Sequence, residues 1–173
     1  MVTFQRGAVS ILLSLLIAAK LCVAAQAQQI QRIEIKDVGI YDVEKRGTVD
    51  APGVPIAHHR NIAGATKLIR RTNIIPATIG TNFGFRYSIV GDPIGAPVSL
   101  RMAGQFPLGG GRDQTTGQIL KGWEFVFPGT LGSESYYNYT LEQDWELIPG
   151  NWTLEIWQGN RKLAEQSCTV VKL

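Results

Sequence analysis

From Gly150 to Val171 the chain alternates apolar and polar side chains with a period of two, the spacing of strands buried on one face. Trp152, Leu154 and Ile156 fall on one side, and Thr153, Glu155 and Trp157 on the other. Pro149-Gly150-Asn151 turns the chain into this strand and Gly159-Asn160 turns it out, so Asp144 to Val171 reads as three consecutive antiparallel strands. Leu163 and Cys168 in the last of them share a face only if a bulge lies between them.

The same period recurs upstream. Ile33 and Ile35 oppose Arg32, Glu34 and Lys36 in a first strand with one wet face. Asp42 to Asn61 is polar, carries Pro52-Gly53, Pro55 and both histidines, and reads as a long loop. Ala65 to Ile75 is rich in β-branched residues and reads as a strand broken by Pro76. Phe83, Phe85, Tyr87 and Ile89 then line one side of a strand whose other side holds Gly84, Arg86, Ser88 and Val90. After Gly91-Asp92-Pro93-Ile94-Gly95, Val98, Leu100 and Met102 point inward and Ser99, Arg101 and Ala103 outward. The two strands predict a hairpin over residues 82–103, and a symmetric register about its turn sets Arg86 opposite Arg101. Pro107 to Gln118, with Gly109-Gly110-Gly111, reads as a loop; Trp123, Phe125 and Phe127 share the next strand, which Pro128-Gly129 ends. Tyr137, Tyr139, Leu141, Trp145 and Leu147 form an inward row through Leu147, against an outer row of Tyr136, Asn138, Thr140, Glu142, Asp144 and Glu146.

No stretch has the period of an amphipathic helix, so the pattern predicts an all-β fold: an antiparallel immunoglobulin-like β-sandwich of about 7–8 strands. An outer-membrane barrel of about eight strands is the rival. Its aromatics would form two girdles, whereas these cluster, and the strands are short.

Residues 1–27 have the pattern of a secretory signal peptide: Arg6, an apolar run from Ala8 to Ala19, and Ala25-Gln26-Ala27 as a small-x-small cleavage site, with cleavage after Ala25 the alternative. The run is too short to span a bilayer, and Leu21 before Cys22 argues against lipid attachment. The expected product is residues 28–173 as a single domain, periplasmic or secreted. Arg6 and Lys20 leave with the leader, so 15 of the 17 basic residues face 14 acidic ones. That near-cancellation removes the case for nucleic acid or an anionic membrane as partner. Only Cys168 remains of the two cysteines, which excludes an intramolecular disulfide and favours a small buried hydrophobe.

Three stretches, TNFGFRYSIVGDPIGAPVSL, KGWEFVFPG and above all WELIPGNWTLEIWQGNRKLAEQS, carry a family likeness from about Val38 onward. The chain resembles an uncharacterised bacterial family of small exported proteins known as a domain of unknown function. The resemblance implies an exported β-sandwich and brings no activity, cofactor or catalytic residue. At Cys168 it leads one to expect a larger apolar residue such as Phe, which supports a core role for that position.

The pattern offers few groups for chemistry. His58 and His59 are adjacent in the expected loop and point opposite ways, a poor start for a base or a metal site. Gly109-Gly110-Gly111-Arg112 has backbone amides to wrap an anion, but a triple glycine is more often a flexible loop. Glu142, Asp144 and Glu146 form a carboxylate row that suits calcium, acid–base work, or a cross-strand ladder with Arg86 and Arg101, the last being favoured. Arg86 and Arg101 alternatively clamp an anionic ligand. Trp157, outward beside Glu155 and a turn, is either a contact anchor or a cover for its neighbouring strand. The expectation is therefore a non-catalytic, cofactor-free and metal-free exported domain that binds a protein, peptide or envelope component, with a carrier of small anionic ligands as alternative and a hydrolase behind both. Candidate contacts are Arg86, Arg101, Trp157 and Glu155.

Overall fold

The computed structural model describes residues 29–50, 59–113 and 116–172. Residues 1–28, which hold the expected leader, and 51–58, which hold His58, lie outside them. In chain order the strands are β1 (Gln29–Asp50), β2 (His59–Arg71), β3 (Ile74–Pro76), β4 (Asn82–Asp92), β5 (Pro97–Gln105), β6 (Gly111–Arg112), β7 (Ile119–Leu120), β8 (Gly122–Thr130), β9 (Glu134–Thr140), β10 (Gly150–Gln158) and β11 (Arg161–Val171). Two sheets pack face to face: β2-β1-β4-β9 and β3-β11-β10-β5-β8. They share no strand, so the fold is an immunoglobulin-like sandwich and not a closed barrel. Pairing is antiparallel except that β3 runs parallel to β11.

The inward faces are those of the period-two pattern. Phe83, Phe85, Tyr87 and Ile89 of β4 meet Leu100 and Met102 of β5 and Leu154 and Ile156 of β10 in one dry layer. Trp152 sits at its centre, against Phe83, Phe106, Trp123 and Tyr139 with ring centroids 4.8–6.2 Å apart within this cluster. Its indole N–H donates to the Ile148 carbonyl at 3.0 Å. Cys168 is buried opposite Trp152, and the bulge required between Leu163 and Cys168 is present, with Leu163 as the extra residue between the pairs Ile156↔Ala164 and Trp157↔Lys162.

Four expectations need correction. Residues 82–103 are not a hairpin: β4 and β5 lie in different sheets and meet across the core. A period of two reveals which face is buried, but side-by-side pairing and face-to-face packing bury that face equally well. Residues 42–50 and 59–61 are strand, because β1 and β2 continue as a two-stranded arm with Asp50 paired to His59; only 51–58 of the expected loop is undescribed. β9 stops at Thr140, and Asp144–Glu146 forms a 3-10 turn that reverses the alternation. Trp145 is therefore half-buried and Glu146 takes the buried place. Finally, β8 runs through Pro128-Gly129 to Thr130, which a strand at the edge of a sheet tolerates.

Candidate functional site

Arg86 and Arg101 lie on the outer faces of opposite sheets, so they do not face each other and cannot grip one anion together. The missing counter-ion of Arg86 is Asp37. Continued alternation from Ile33 and Ile35 would aim Asp37 into the core, but β1 slips register between Ile35 and Asp37 and turns it to the outer face beside Arg86. The Asp37 carboxylate is 4% exposed. It accepts from Arg86 Nη2 at 2.6 Å, Arg86 Nε at 3.1 Å and the Tyr41 hydroxyl at 2.6 Å. Burial opposes its ionisation, but the hydrogen bonds from Tyr41 and Arg86 and the guanidinium charge outweigh burial and hold the carboxyl below the usual Asp range.

On the other outer face the Trp157 ring lies between Arg101, 4.7 Å from its centroid, and Lys162, at 5.1 Å. Beneath them Glu155 is only 4% exposed. It accepts from Lys162 Nζ at 2.6 Å and Trp157 Nε1 at 2.9 Å. Burial again works against the charge, and these donors overcome it, so the Glu155 carboxyl lies below its ordinary range. Arg101 also donates to Glu124 at 2.9 Å. Trp157 thus covers neighbouring strands and is itself covered; it does not stand out as an anchor.

The row of Glu142, Asp144 and Glu146 does not exist as a row, because its last two members are in the 3-10 turn. Glu146 turns inward and accepts from the Tyr139 hydroxyl at 2.5 Å and from the backbone N–H groups of Glu142 at 2.5 Å and Gln143 at 2.7 Å. Burial outweighs these bonds and raises its carboxyl above the ordinary Glu range. Gly111 and Arg112 are strand β6, paired with β7, and Arg112 Nη1 donates to the Gly117 carbonyl at 3.1 Å. His59 begins β2. Among the described residues no group of three or more His, Cys, Asp and Glu side chains could hold a metal ion.

A concavity lies elsewhere, around β9, the last strand of the four-stranded sheet. Beyond Tyr41, β1 and β2 leave the sandwich as the arm, and two register shifts between Val43 and Gly47 bend it. It lies over the outer face of β9: Lys45 Nζ reaches Glu142 at 3.6 Å, and the Tyr41 and Tyr136 rings meet edge-on at 6.2 Å. The resulting cleft holds about 730 Å³. Its outer part is walled by Tyr41, Val43, Val49, Ile62 and Thr66 of the arm and by Tyr136, Asn138 and Asn82; its inner part reaches past β9 to Phe125 and Phe127 on β8. Val49 and Ile62 remain 37% and 42% exposed, so the arm offers apolar surface that the described residues leave uncovered.

Three buried polar atoms on residues lining this cleft, Asn82 Oδ1, Asn138 Nδ2 and the Tyr137 hydroxyl, have no hydrogen-bond partner among the described residues, and the two amides lie on its outer side. Asn82 is 7% exposed; its Nδ2 donates to Thr140 Oγ1 at 2.7 Å, while its Oδ1 accepts from nothing. Asn138, two residues before Thr140 on the same face of β9, has an unbonded Nδ2. A buried polar atom left unbonded costs about 1–3 kcal/mol, so a free acceptor and a free donor lining one cleft are groups for a ligand to satisfy. Periodicity counts Asn82 and Asn138 merely as polar. The sequence signal for them was asparagine inside strands, where it is depleted, in a segment ESYYNYT with no Lys or Pro.

No match to this chain occurs among curated proteins. Among solved structures it is similar to an immunoglobulin-like protein from Pseudomonas aeruginosa, with 24% identity, a TM-score of 0.56, and coverage of 84% of this chain and 99% of that one. That likeness extends to the fold. The family described as Domain of unknown function (DUF3859) matches residues 29–170, and the chain belongs to this family, in line with the resemblance read from its strands.

Proposed function

We propose that this protein is an exported, non-catalytic binding domain and that its ligand occupies the cleft around β9. The observation that carries the reading is the unbonded Asn82 Oδ1, more than nine-tenths buried in the wall of a 730 Å³ concavity. The volume lies within the roughly 300–1,000 Å³ of ligand sites, and aromatic walls with a few polar groups are their usual lining. Export rests on the leader pattern of residues 1–27 and places the domain in the periplasm or outside the cell.

The charges favour an uncharged ligand over the anionic one first considered. Lys45 is the one cation among the described lining residues and is paired with Glu142, while Asp42 and Glu146 also line the cleft. Glu146, the buried carboxylate there, already binds three protein donors, an arrangement that braces a turn rather than one that waits for a substrate.

The test is thermal denaturation and native mass spectrometry of the mature protein against fractionated envelope extract. A fraction should raise the Tm of wild type and leave a bound mass, and Asn138→Ala should lose both while keeping its own Tm within a few degrees. Equal response of wild type and Asn138→Ala to every fraction would refute the cleft as the site.

A further inference from the structure

The four terminal strands of the two sheets are not equally protected. An edge strand presents unpaired N–H and C=O groups, and proteins blunt such edges with charges, prolines, bulges or brevity. β2 carries exposed Lys67, Arg70 and Arg71 along its run. β3 has three residues and ends in Pro76. β8 carries the exposed Pro128. β9 has none of these: seven residues, Glu134 its one charge, and pairing to β4 without a register shift.

The direction of its backbone follows from the adjoining hydrogen bonds. Leu141 donates to the Thr81 carbonyl at 3.0 Å and accepts from the Gly80 N–H at 2.7 Å, so its backbone faces the β4 side. Alternation then turns the N–H and C=O groups of Tyr136, Asn138 and Thr140 to the open side. The side chains of these three residues are the ones on the outer face, with Tyr136 and Asn138 beneath the arm and Asn138 beside Asn82. Tyr137 and Tyr139 point the other way, toward the part of the cleft that holds Phe125 and Phe127. Both the open backbone and the unbonded amides therefore belong to one place.

We propose that the occupant is an extended segment of a partner protein, added to β9 as a further strand. The proposal rests on the cleft being the binding site. Residues of the added strand opposite Tyr136, Asn138 and Thr140 project under the arm. There a small uncharged side chain with an acceptor, Ser, Thr or Asn, satisfies Asn138 Nδ2 on the adjacent strand. Alternate residues project between the sheets and are apolar, to meet Phe125 and Phe127. The arm selects a single strand over a second copy of the domain: two-fold pairing of β9 would bring two arms onto the same face within about two strand spacings, roughly 10 Å.

The probe is a set of acetylated, amidated heptapeptides that alternate Val with Ser, Thr or Asn, titrated into the mature protein by calorimetry and followed by amide NMR. Binding should shift the amides of Tyr136, Asn138 and Thr140. N-methylation of the alternate peptide residues whose amides face β9 should weaken it by roughly tenfold or more, and N-methylation one residue along should leave it unchanged. Asn138→Pro removes an outward N–H that β4 does not use and should abolish binding; should that variant not fold, the N-methyl series decides alone. If no peptide binds at millimolar concentration, or N-methylation in the two phases is equivalent, the added-strand proposal is wrong. If sedimentation shows a dimer that Asn138→Pro dissolves, the occupant is a second copy and the partner proposal is again wrong. If instead an uncharged small molecule from the envelope binds dependent on Asn138, the strand falls and the binding cleft stands.

Discussion

Asp37 answers at residue scale the question raised by Arg86, and its environment sets a pH dependence. Its carboxyl is held below the unfolded value of about 3.9, so the stability it contributes is complete above that pH and is lost as pH falls through the lower folded value. The unfolding free energy from urea titration of wild type should exceed that of Asp37→Ala by a constant margin, about 1–3 kcal/mol, at neutral and mildly acid pH, and the margin should close in strong acid. A margin that stays constant into strong acid would remove Asp37 from the account. Cys168 makes the complementary case. Burial beside Trp152 pushes its thiol up to about 11, so a thiol reagent should leave the native protein unmodified and react only after denaturant unfolds it. The apolar role of Cys168 was legible in its strand position. That of Asp37 was not, because a one-residue bulge reassigns a charge from core to surface without changing any residue type.

At the scale of elements, β5 and β8 are held together by a fit that periodicity does not see. An added Cβ at Gly104 would lie 2.0 Å from the Trp123 ring, so Gly104→Ala must displace an indole packed against Phe106, Tyr139 and Trp152. Chemical denaturation should show a loss of about 1–3 kcal/mol, and a smaller loss in Gly104→Ala/Trp123→Leu than the sum of the single changes. The turn after β9 shows the reverse limit. A strict period of two carried through Leu147 assigns Trp145 inward and Glu146 outward, yet the 3-10 turn buries Glu146, leaves Trp145 half-buried and closes on the bonds that Glu146 receives. Faces were readable wherever the strand was unbroken; they were lost where local side-chain-to-backbone bonds reset the phase.

For the whole molecule, the arm is separable from the sandwich. Among the described residues, none of the buried core side chains lies between Tyr41 and Ile75 in sequence. Replacing residues 44–65 with Asn-Gly, which joins the paired Val43 and Thr66 by a two-residue turn, should leave a folded sandwich by circular dichroism while opening the outer wall of the cleft. Collapse of the fold on this change would show that the arm is a structural part and not a cover for the site. The sequence by itself determined the class of fold, the buried faces of the unbroken strands, the core place of Trp152 and Cys168, and the need for a bulge near Leu163, because each follows from side-chain polarity and a backbone period that are local properties. Only the tertiary structure decided that β4 and β5 pack across the core, that Arg86 and Arg101 answer different acids on opposite faces, and that Asn82 and Asn138 line one cleft with partners missing. Those outcomes depend on which strand neighbours which, and the alternation of apolar and polar residues is the same for every choice of neighbour.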